Sequence, residues 1–275
     1  MSADPGAVRA LTDLLEARTG QQLAPNRSWR IDVALKPLLR SRGLQTPAEL
    51  ASLASRVSEE RLKNQIVEAL LNNETYFFRD LSVFSLLRGD ALDALHRARA
   101  ERRQLRIWCA GCSTGQEAYS IAMMIGEEPA RWQDWSIEIL GTDISASAIE
   151  QAASGRYSQF EIQRGLPVGA MMRWFDQQDG NWRALPELRA KLRFRAHSLL
   201  DAPPPGRFDL ILCRNVLMYF SPVVRRGVFD RLASSIAPDG LLALGASETV
   251  LGQTERFTPD RALRGLYRPL PGVSH

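Results

Sequence analysis

The second half of the chain alternates short apolar runs with amphipathic segments of helix length. The apolar runs are LRIWCA (105–110), IEILGTD (137–143), LRFRAHSLL (192–200), FDLILCRNV (208–216) and GLLALGAS (240–247). Strands that alternate with helices form a parallel sheet that is covered on both faces. The pattern therefore predicts an α/β fold with a doubly wound sheet. Weak apolar runs near Phe257 and Leu266–Tyr267 predict an additional edge hairpin.

Two stretches depart from this alternation. Residues 7–71 carry helical patterns only, and we predict an N-terminal helical domain over residues 1–80. Residues 156–191 contain Gly, Pro and a DGN turn signal. We interpret this stretch as a small antiparallel β-subdomain inserted into a second domain, which spans residues 81–275.

The composition is ordinary for a globular protein, with 45% hydrophobic and 24% charged residues. No apolar run approaches the roughly 18 residues of a membrane-spanning helix, and the N-terminus does not resemble a secretory signal. We therefore expect a cytoplasmic protein without membrane insertion. The net charge of +4 is too small to indicate nucleic acid, and three cysteines are too few for a disulfide framework.

The loop GCSTGQE (111–117) follows the first predicted strand and predicts a ligand site. Such a loop brings a ligand to the carboxyl ends of the strands, beside a helix N-terminus, and Gly111 allows close approach of the backbone. The loop matches neither G-x-G-x-x-G nor a P-loop, so a pyrophosphate site is not indicated. Cys109 and Cys112 lack a second pair of ligands, and we interpret them as packing residues.

Two carboxylates on successive strand-to-helix turns indicate the chemistry of the ligand. Asp143 ends the second strand, where a carboxylate can accept hydrogen bonds from a ribose diol. Glu117 lies in the first turn of the next helix, where it would repel a pyrophosphate and attract a cation. Taken alone, Asp143 is explained as a loop or cap residue, and Glu117 is explained by a favourable interaction with the helix dipole. Together they favour S-adenosylmethionine, which carries a sulfonium and an amino group but no phosphate.

Polar residues also follow the fourth strand, in CRNVLMYF (213–220). Apolar packing does not explain Arg214 and Asn215 at the end of a buried strand, and an amide there can hold an adenine edge or a substrate carbonyl.

The segment NETYFFRD (73–80) is equally unusual, because three consecutive aromatic residues do not fit the spacing of a core helix.

These motifs together resemble the chemotaxis receptor methyltransferases, the CheR family. NETYFFRD, GCSTGQEAYSIAM, GTDIS, FDLILCRNVLMYF and PDGLLALGASE occur in the family's order over about residues 70–250. The resemblance implies a class I S-adenosylmethionine-dependent methyltransferase fold. It also implies an enzyme that esterifies glutamate side chains on chemoreceptor cytoplasmic domains and releases S-adenosylhomocysteine.

The resemblance also implies partners and site residues. The partner would be the helical bundle of the receptor, and it stays open whether the inserted β-subdomain also binds a receptor C-terminal tether peptide. We expect a monomer that binds no nucleic acid and no metal. Glu117 would hold the amino group of the cofactor and Asp143 its ribose. Ser198 is a departure, because the family often has Asn at that position. The cofactor-binding residues would be Asn73, Thr75, Arg79, Gly111, Glu117, Asp143, Ser198, Leu199, Asn215 and Val216.

A glutamate side chain is already ionised at pH 7, so its methylation needs no general base. Catalysis should depend on positioning and desolvation. We predict that Arg79 and Tyr219 are the catalytic residues and orient the glutamate, since Arg offers two donors to a carboxylate and Tyr offers one.

Three other functions are compatible with the pattern. The first is a methyltransferase of the same fold that acts on a small molecule or on another carboxylate. The second is a non-catalytic sensor of S-adenosylmethionine or S-adenosylhomocysteine. The third, an NAD oxidoreductase, is disfavoured by Glu117 and by the missing third glycine.

Overall fold

The computed structural model describes residues 4–23 and 29–270. They form two compact units. The first contains the described residues up to Asn72 together with Tyr219–Val224, and the second contains Asn73–Met218 and the described residues from Arg225 onward. The division into domains at residue 80 stays a prediction.

The first unit contains four helices with apolar inner faces. They are α1 (Pro5–Thr19), α2 (Trp29–Arg42), α3 (Pro47–Ala54) and α4 (Glu60–Leu70). Helix α1 ends where Gly20 takes a left-handed conformation, and α3 begins with a capping box of Thr46 and Glu49. Their buried side chains include Leu11, Leu15, Ile31, Leu35, Leu50, Leu62 and Ile66.

The second unit contains the sheet that the alternation predicts. Its strands are β1 (Gln104–Ala110), β2 (Ser136–Asp143), β6 (Leu192–Ala196), β7 (Phe208–Cys213), β8 (Ile236–Leu244), β9 (Phe257–Pro259) and β10 (Leu266–Pro269). The order is β6-β2-β1-β7-β8-β10-β9. The first five strands in that order are parallel, and β10 and β9 add the antiparallel edge hairpin. The predicted fold class is confirmed.

Helices follow or precede these strands as the amphipathic segments predict. They are α5 (Leu81–Leu86), α6 (Leu92–Ala98), α7 (Gln116–Gly126), α8 (Ala146–Ser154) and α12 (Pro222–Ser235). A π-helical turn, Leu87–Ala91, separates α5 from α6. In the described part of the chain, every helix is too short or too polar to cross a membrane.

The inserted β-subdomain is also confirmed. Its strands are β3 (Arg156–Ser158), β4 (Phe175–Gln178) and β5 (Asn181–Ala184), in the antiparallel order β3-β5-β4. The short helices α9 (Gln159–Gln163) and α10 (Val168–Trp174) lie between β3 and β4, and α11 (Pro186–Arg189) follows β5.

The segment Asn73–Asp80 forms no helix or strand, and two of its three aromatic residues, Phe77 and Phe78, enter the core of the second unit. The fully buried ring of Phe77 makes edge contacts with Tyr157 and Phe175, at centroid distances of 5.1 and 5.6 Å. The amide of Phe78 donates to Ser120 Oγ at 3.0 Å. Phe77 and Phe78 are both buried although they are adjacent in the sequence. The φ of Phe78 is positive, 52°, and this conformation turns the backbone at the second of the two aromatic residues.

Gly165 packs closely against the backbone of this segment. Its φ is +82°, and a Cβ at this position would lie 2.0 Å from the carbonyl oxygen of Phe77. We expect Gly165→Ala to lower the free energy of unfolding by about 3 kcal/mol, because backbone displacement adds to left-handed strain. Denaturant unfolding would measure the change.

Gly180 is the matched control, since its φ is +74° but a Cβ there would meet no atom within 4 Å. Gly180→Ala should lower the free energy of unfolding only by the strain of the left-handed conformation, about 1 kcal/mol. Equal losses for the two variants would show that the contact with Phe77 is unimportant.

Candidate active site

Two glycines shape the loop between β1 and α7. Gly111 has φ +81°, and a Cβ there would stand 3.3 Å from the side chain of Val216. Gly115 has φ +93° and precedes α7, and its Cβ would lie 2.8 Å from that of Ala152. Any larger residue at these positions is strained or crowded. The loop can therefore pass close to the ends of neighbouring strands, and it brings Gly111 and Val216 together.

Asp143 ends β2, and two backbone amides hold its carboxylate. Ser113 N donates to Oδ2 at 2.8 Å, and Ser145 N donates to Oδ1 at 2.9 Å. Ser113 belongs to the glycine loop, and Ser145 caps α8. Asp143 thus joins two successive loops, and its carboxylate has a defined orientation at the edge of the sheet.

Asn73 and Thr75 lie beside the same loop. Ser113 Oγ donates to the carbonyl of Asn73 at 2.8 Å, and Asn73 Nδ2 stands 3.4 Å from Ser145 Oγ. Asn73 and Thr75 also line a groove of about 380 Å³ together with Thr114 from the loop. The structure therefore brings the first part of NETYFFRD to the glycine loop and to the residues around Asp143.

A buried guanidinium connects three further parts of the site. Arg214 follows β7, and only 1% of its side chain is exposed. Its Nη1 donates to Glu117 Oε2 at 2.8 Å, and its Nη2 donates to Asp80 Oδ2 at 2.8 Å and to the carbonyl of Arg79 at 2.7 Å. Sequence reasoning noticed Arg214 but gave it no role. Its position at the end of a buried strand was the available signal.

The electrostatics of this cluster suit a cation. Arg214 forms ion pairs with both carboxylates, and the charges of Arg79 and Glu248 also act on Glu117. Burial raises the pKa of Glu117, while the guanidinium of Arg214 acts in the opposite direction. A bound cation would favour the ionised form of the buried Glu117, in a place where water screens charges weakly. The residues present therefore fit S-adenosylmethionine.

The cysteines near this cluster are buried and free. Burial raises the pKa of the Cys109 and Cys112 thiols well above the usual range, so both are neutral at pH 7. Both belong to the hydrophobic core of the second unit, Cys109 on β1 and Cys112 in the glycine loop.

Asn215 lies in a loop that Glu248 holds in place. Glu248 Oε2 accepts from the amides of Asn215 (2.7 Å) and Gly245 (2.9 Å), and Oε1 accepts from the amide of Leu217 (2.9 Å). The backbone of Asn215 has a φ of 58°, a strained value for a residue with a side chain. Glu248 therefore positions the predicted binding residue Asn215. Glu248 is the last residue of the motif PDGLLALGASE, but the sequence pattern did not indicate that it positions Asn215.

The other predicted site residues lie as follows. Ser198 Oγ accepts from the amide of Leu200 at 3.1 Å, and Ser198 and Leu199 are half-buried in the loop after β6. The residue before them, His197, donates its amide to the carbonyl of Asp143 at 2.8 Å. Tyr219 belongs to the first unit, unlike the other predicted site residues, and the binding and catalytic roles of all of them stay predictions.

Glu248 makes a testable structural contribution. Glu248→Gln replaces one acceptor oxygen with an NH₂ group, which cannot accept the hydrogen bonds of the backbone amides. We expect a loss of about 3 kcal/mol in the free energy of unfolding and weaker cofactor binding, because charged acceptors contribute more than neutral ones. Denaturant unfolding and calorimetric titration would measure both.

The exposed Glu255 is the matched control, and Glu255→Gln should leave both quantities unchanged. A Glu248→Gln variant with normal stability and normal cofactor affinity would refute the positioning role.

Comparison with known proteins shows which family this chain resembles. Residues 73–264 match the family described as CheR methyltransferase, SAM binding domain, where SAM is S-adenosylmethionine. The chain is 36% identical to chemotaxis protein methyltransferase 1 of Pseudomonas aeruginosa, over 91% of this chain and 92% of that protein. It is also 36% identical to a chemotaxis protein methyltransferase of Vibrio parahaemolyticus, over 94% of each chain. A third relative, chemotaxis protein methyltransferase Cher2 of Pseudomonas putida, is 34% identical over 88% of this chain and 90% of that protein.

These matches cover most of the chain, and residues 73–264, which match the family, include every residue of the site described above. The predicted cofactor, S-adenosylmethionine, is confirmed by the family's binding domain. The chain belongs to the CheR methyltransferase family.

Proposed function

We propose that this methyltransferase transfers the methyl group of S-adenosylmethionine to glutamate side chains on the cytoplasmic domains of chemoreceptors. The observation that carries the proposal is the similarity to chemotaxis methyltransferases over nine-tenths of both chains. The buried carboxylate of Glu117 supports a cationic cofactor in the same domain. In this proposal the protein acts as a cytoplasmic monomer.

The cofactor, when bound, supplies a methyl group activated by its positive sulfur. Glu117 would bind its amino group, and Asp143 would accept from its ribose hydroxyls. The remaining proposed contacts are those of Asn73, Thr75, Arg79, Gly111, Ser198, Leu199, Asn215 and Val216. Most of these residues lie on loops that Asp143, Arg214 and Glu248 connect, so the binding groups are oriented before the ligand arrives.

Arg79 would position the glutamate of the receptor. Its Nη1 donates to the carbonyl of Glu74 at 2.7 Å, and its guanidinium stands 5.7 Å from the ring centre of Tyr76. These contacts use one of its five N–H donors. Within residues 4–23 and 29–270, several donors therefore remain for a substrate carboxylate.

Tyr219 would donate its hydroxyl proton to the same carboxylate. Within the first unit, Arg30 Nη2 donates to Asn72 Oδ1 at 2.9 Å, and Asn72 Nδ2 in turn donates to the hydroxyl of Tyr219. Because the arginine must be a donor, the amide orientation of Asn72 is determined. The hydroxyl accepts from Asn72 and keeps its own proton for an acceptor such as a carboxylate.

Two surfaces would bind the receptor. Lys36 and Arg40 lie four residues apart on the exposed face of α2 and would attract an acidic helical bundle. The inserted sheet has β3 and β4 at its edges, and an extended tether peptide could add to such an edge as another strand.

Methyl-tritiated S-adenosylmethionine, incubated with the enzyme and receptor cytoplasmic fragments, tests the reaction. We expect labelled receptor that releases volatile methanol on treatment with base, since only carboxyl esters hydrolyse in this way. Arg79→Ala should lower turnover about 100-fold through misplacement of the glutamate. Tyr219→Phe should lower it about tenfold through loss of one hydrogen bond.

Tyr219→Phe should retain cofactor affinity, whereas Arg79→Ala should also weaken it, because Arg79 is one of the proposed cofactor contacts. Arg102→Ala, which removes an exposed arginine outside the site, should change neither quantity. Normal turnover of Arg79→Ala would refute its catalytic role. Intact cofactor binding without base-labile label on any receptor fragment would favour another substrate or a sensor.

The charge of Glu117 predicts how cofactor binding depends on pH. Because burial raises its pKa, Glu117 becomes protonated at a higher pH than an exposed glutamate. A cationic ligand favours the ionised form, so affinity should fall as the pH falls through this raised pKa and should reach a plateau above it. Glu117→Gln should bind about 10- to 100-fold more weakly at pH 8 and should lose this dependence.

Titration calorimetry with S-adenosylmethionine between pH 5 and 8 would measure these affinities. Glu101→Gln, which changes an exposed glutamate, should behave like the unmodified protein. Unchanged affinity in Glu117→Gln would remove Glu117 from the binding site, and an unchanged pH profile would assign the dependence to another group.

A further inference from the structure

A buried tyrosine of the inserted β-subdomain, Tyr157 on β3, contacts the glycine loop. Its hydroxyl donates to the backbone carbonyl of Thr114 at 2.9 Å, and only 1% of the residue is exposed. Thr114 directly precedes Gly115, the cap of α7. We propose that Tyr157 is a positioning residue for the cofactor, because its hydroxyl fixes the backbone of the glycine loop. This inference rests on the cofactor site proposed above, although Tyr157 is not one of the proposed contacts.

The glycine loop has a backbone conformation that depends on the contacts around it. Gly111, Ser113 and Gly115 all have positive φ values, of 81°, 50° and 93°. Ser113 carries a side chain and is strained at this φ, and such strain persists only where the surrounding structure determines the conformation. Each hydrogen bond to the loop therefore helps to keep its binding groups in place.

The loop is also bonded to two of the proposed cofactor contacts. Ser113 N donates to the carboxylate of Asp143 at 2.8 Å, and Ser113 Oγ donates to the carbonyl of Asn73 at 2.8 Å. A displacement of the loop would therefore change the positions of Asp143 and Asn73 as well. Through the carbonyl of the next residue, Thr114, the hydroxyl of Tyr157 acts on this whole group.

Aromatic packing fixes the direction of the Tyr157 hydroxyl. The ring makes edge contacts with Phe77, Tyr119 and Phe175, at centroid distances of 5.1, 5.8 and 6.1 Å. A ring that is packed on several sides cannot turn to another rotamer without disturbing its neighbours. Burial also raises the pKa of Tyr157 well above its usual range, so the hydroxyl keeps its proton and stays a donor.

Removal of this hydroxyl should weaken cofactor binding while the protein stays folded. Tyr157→Phe keeps the ring and its aromatic contacts but removes the donor to the carbonyl of Thr114. We expect S-adenosylmethionine to bind about tenfold more weakly, because affinity falls with the fraction of molecules whose loop has the binding conformation. Titration calorimetry at pH 8 would measure the affinity, and thermal unfolding would show that the variant is folded.

Tyr119→Phe is the matched control. Tyr119 is also 1% exposed, and its hydroxyl donates to the carbonyl of Ala152, near the end of α8, at 3.0 Å. This substitution removes a buried hydroxyl from the same aromatic cluster but leaves the bond to Thr114 intact. We expect Tyr119→Phe to bind S-adenosylmethionine within about twofold of the unmodified protein.

Backbone amide signals can report the loop directly. In ¹⁵N-labelled protein without cofactor, the amide signals of Ser113 and Gly115 should shift or broaden far more in Tyr157→Phe than in Tyr119→Phe. Saturating S-adenosylmethionine should return the signals of Tyr157→Phe towards those of the unmodified protein, because the ligand selects the binding conformation.

Glu117→Gln, measured in parallel, separates this inference from the cofactor site on which it rests. Unchanged affinity in Glu117→Gln would refute the proposed arrangement of the cofactor, and this inference with it. Weaker binding in Glu117→Gln together with normal binding in Tyr157→Phe would overturn the positioning role alone. Equal losses of affinity in Tyr157→Phe and Tyr119→Phe would also overturn it, because the effect would then come from a general loosening of the core.

Discussion

The buried guanidinium of Arg214 is the interaction on which the rest of the site depends. A charge removed from water is tolerated only when it is paired and hydrogen-bonded. Arg214 satisfies this condition through Glu117 on α7, Asp80 beyond the aromatic segment and the carbonyl of Arg79. Because Arg214 must keep these hydrogen bonds, they hold the end of β7, the start of α7 and the segment Asn73–Asp80 in one arrangement. The same pairing holds the carboxylate of Glu117 at the position proposed for the cationic cofactor.

At two other places in the domain, a carboxylate connects loops by accepting hydrogen bonds from backbone amides. Asp143 accepts amides from the glycine loop and from the cap of α8, while Glu248 accepts three amides from the loops after β7 and β8. Each side chain satisfies backbone donors that a strand or helix would otherwise satisfy. The loops at the carboxyl ends of the strands are thus connected to one another, and a site on loops gains the rigidity that its chemistry requires.

The fold was largely predictable because its signals are local. Alternating apolar runs and helical segments identify strands and helices within ten or fifteen residues, and parallel sheets follow from that alternation. The turn signals of residues 156–191 likewise predicted the inserted sheet. At the site, Gly111, Glu117, Asp143 and Asn215 were identifiable because each follows a predicted strand, and the carboxyl ends of parallel strands share one edge.

The sequence by itself determined the fold class, the cofactor and the positions of the strand-end residues, since these depend on periodicity and on order along the chain. Only the tertiary structure decided which residues meet. The partners of Arg214 are 97 and 134 residues away, and Glu248 reaches the loop of Asn215 across 33 residues. Such contacts follow from the order of strands and from side-chain packing, which hydrophobic periodicity does not encode.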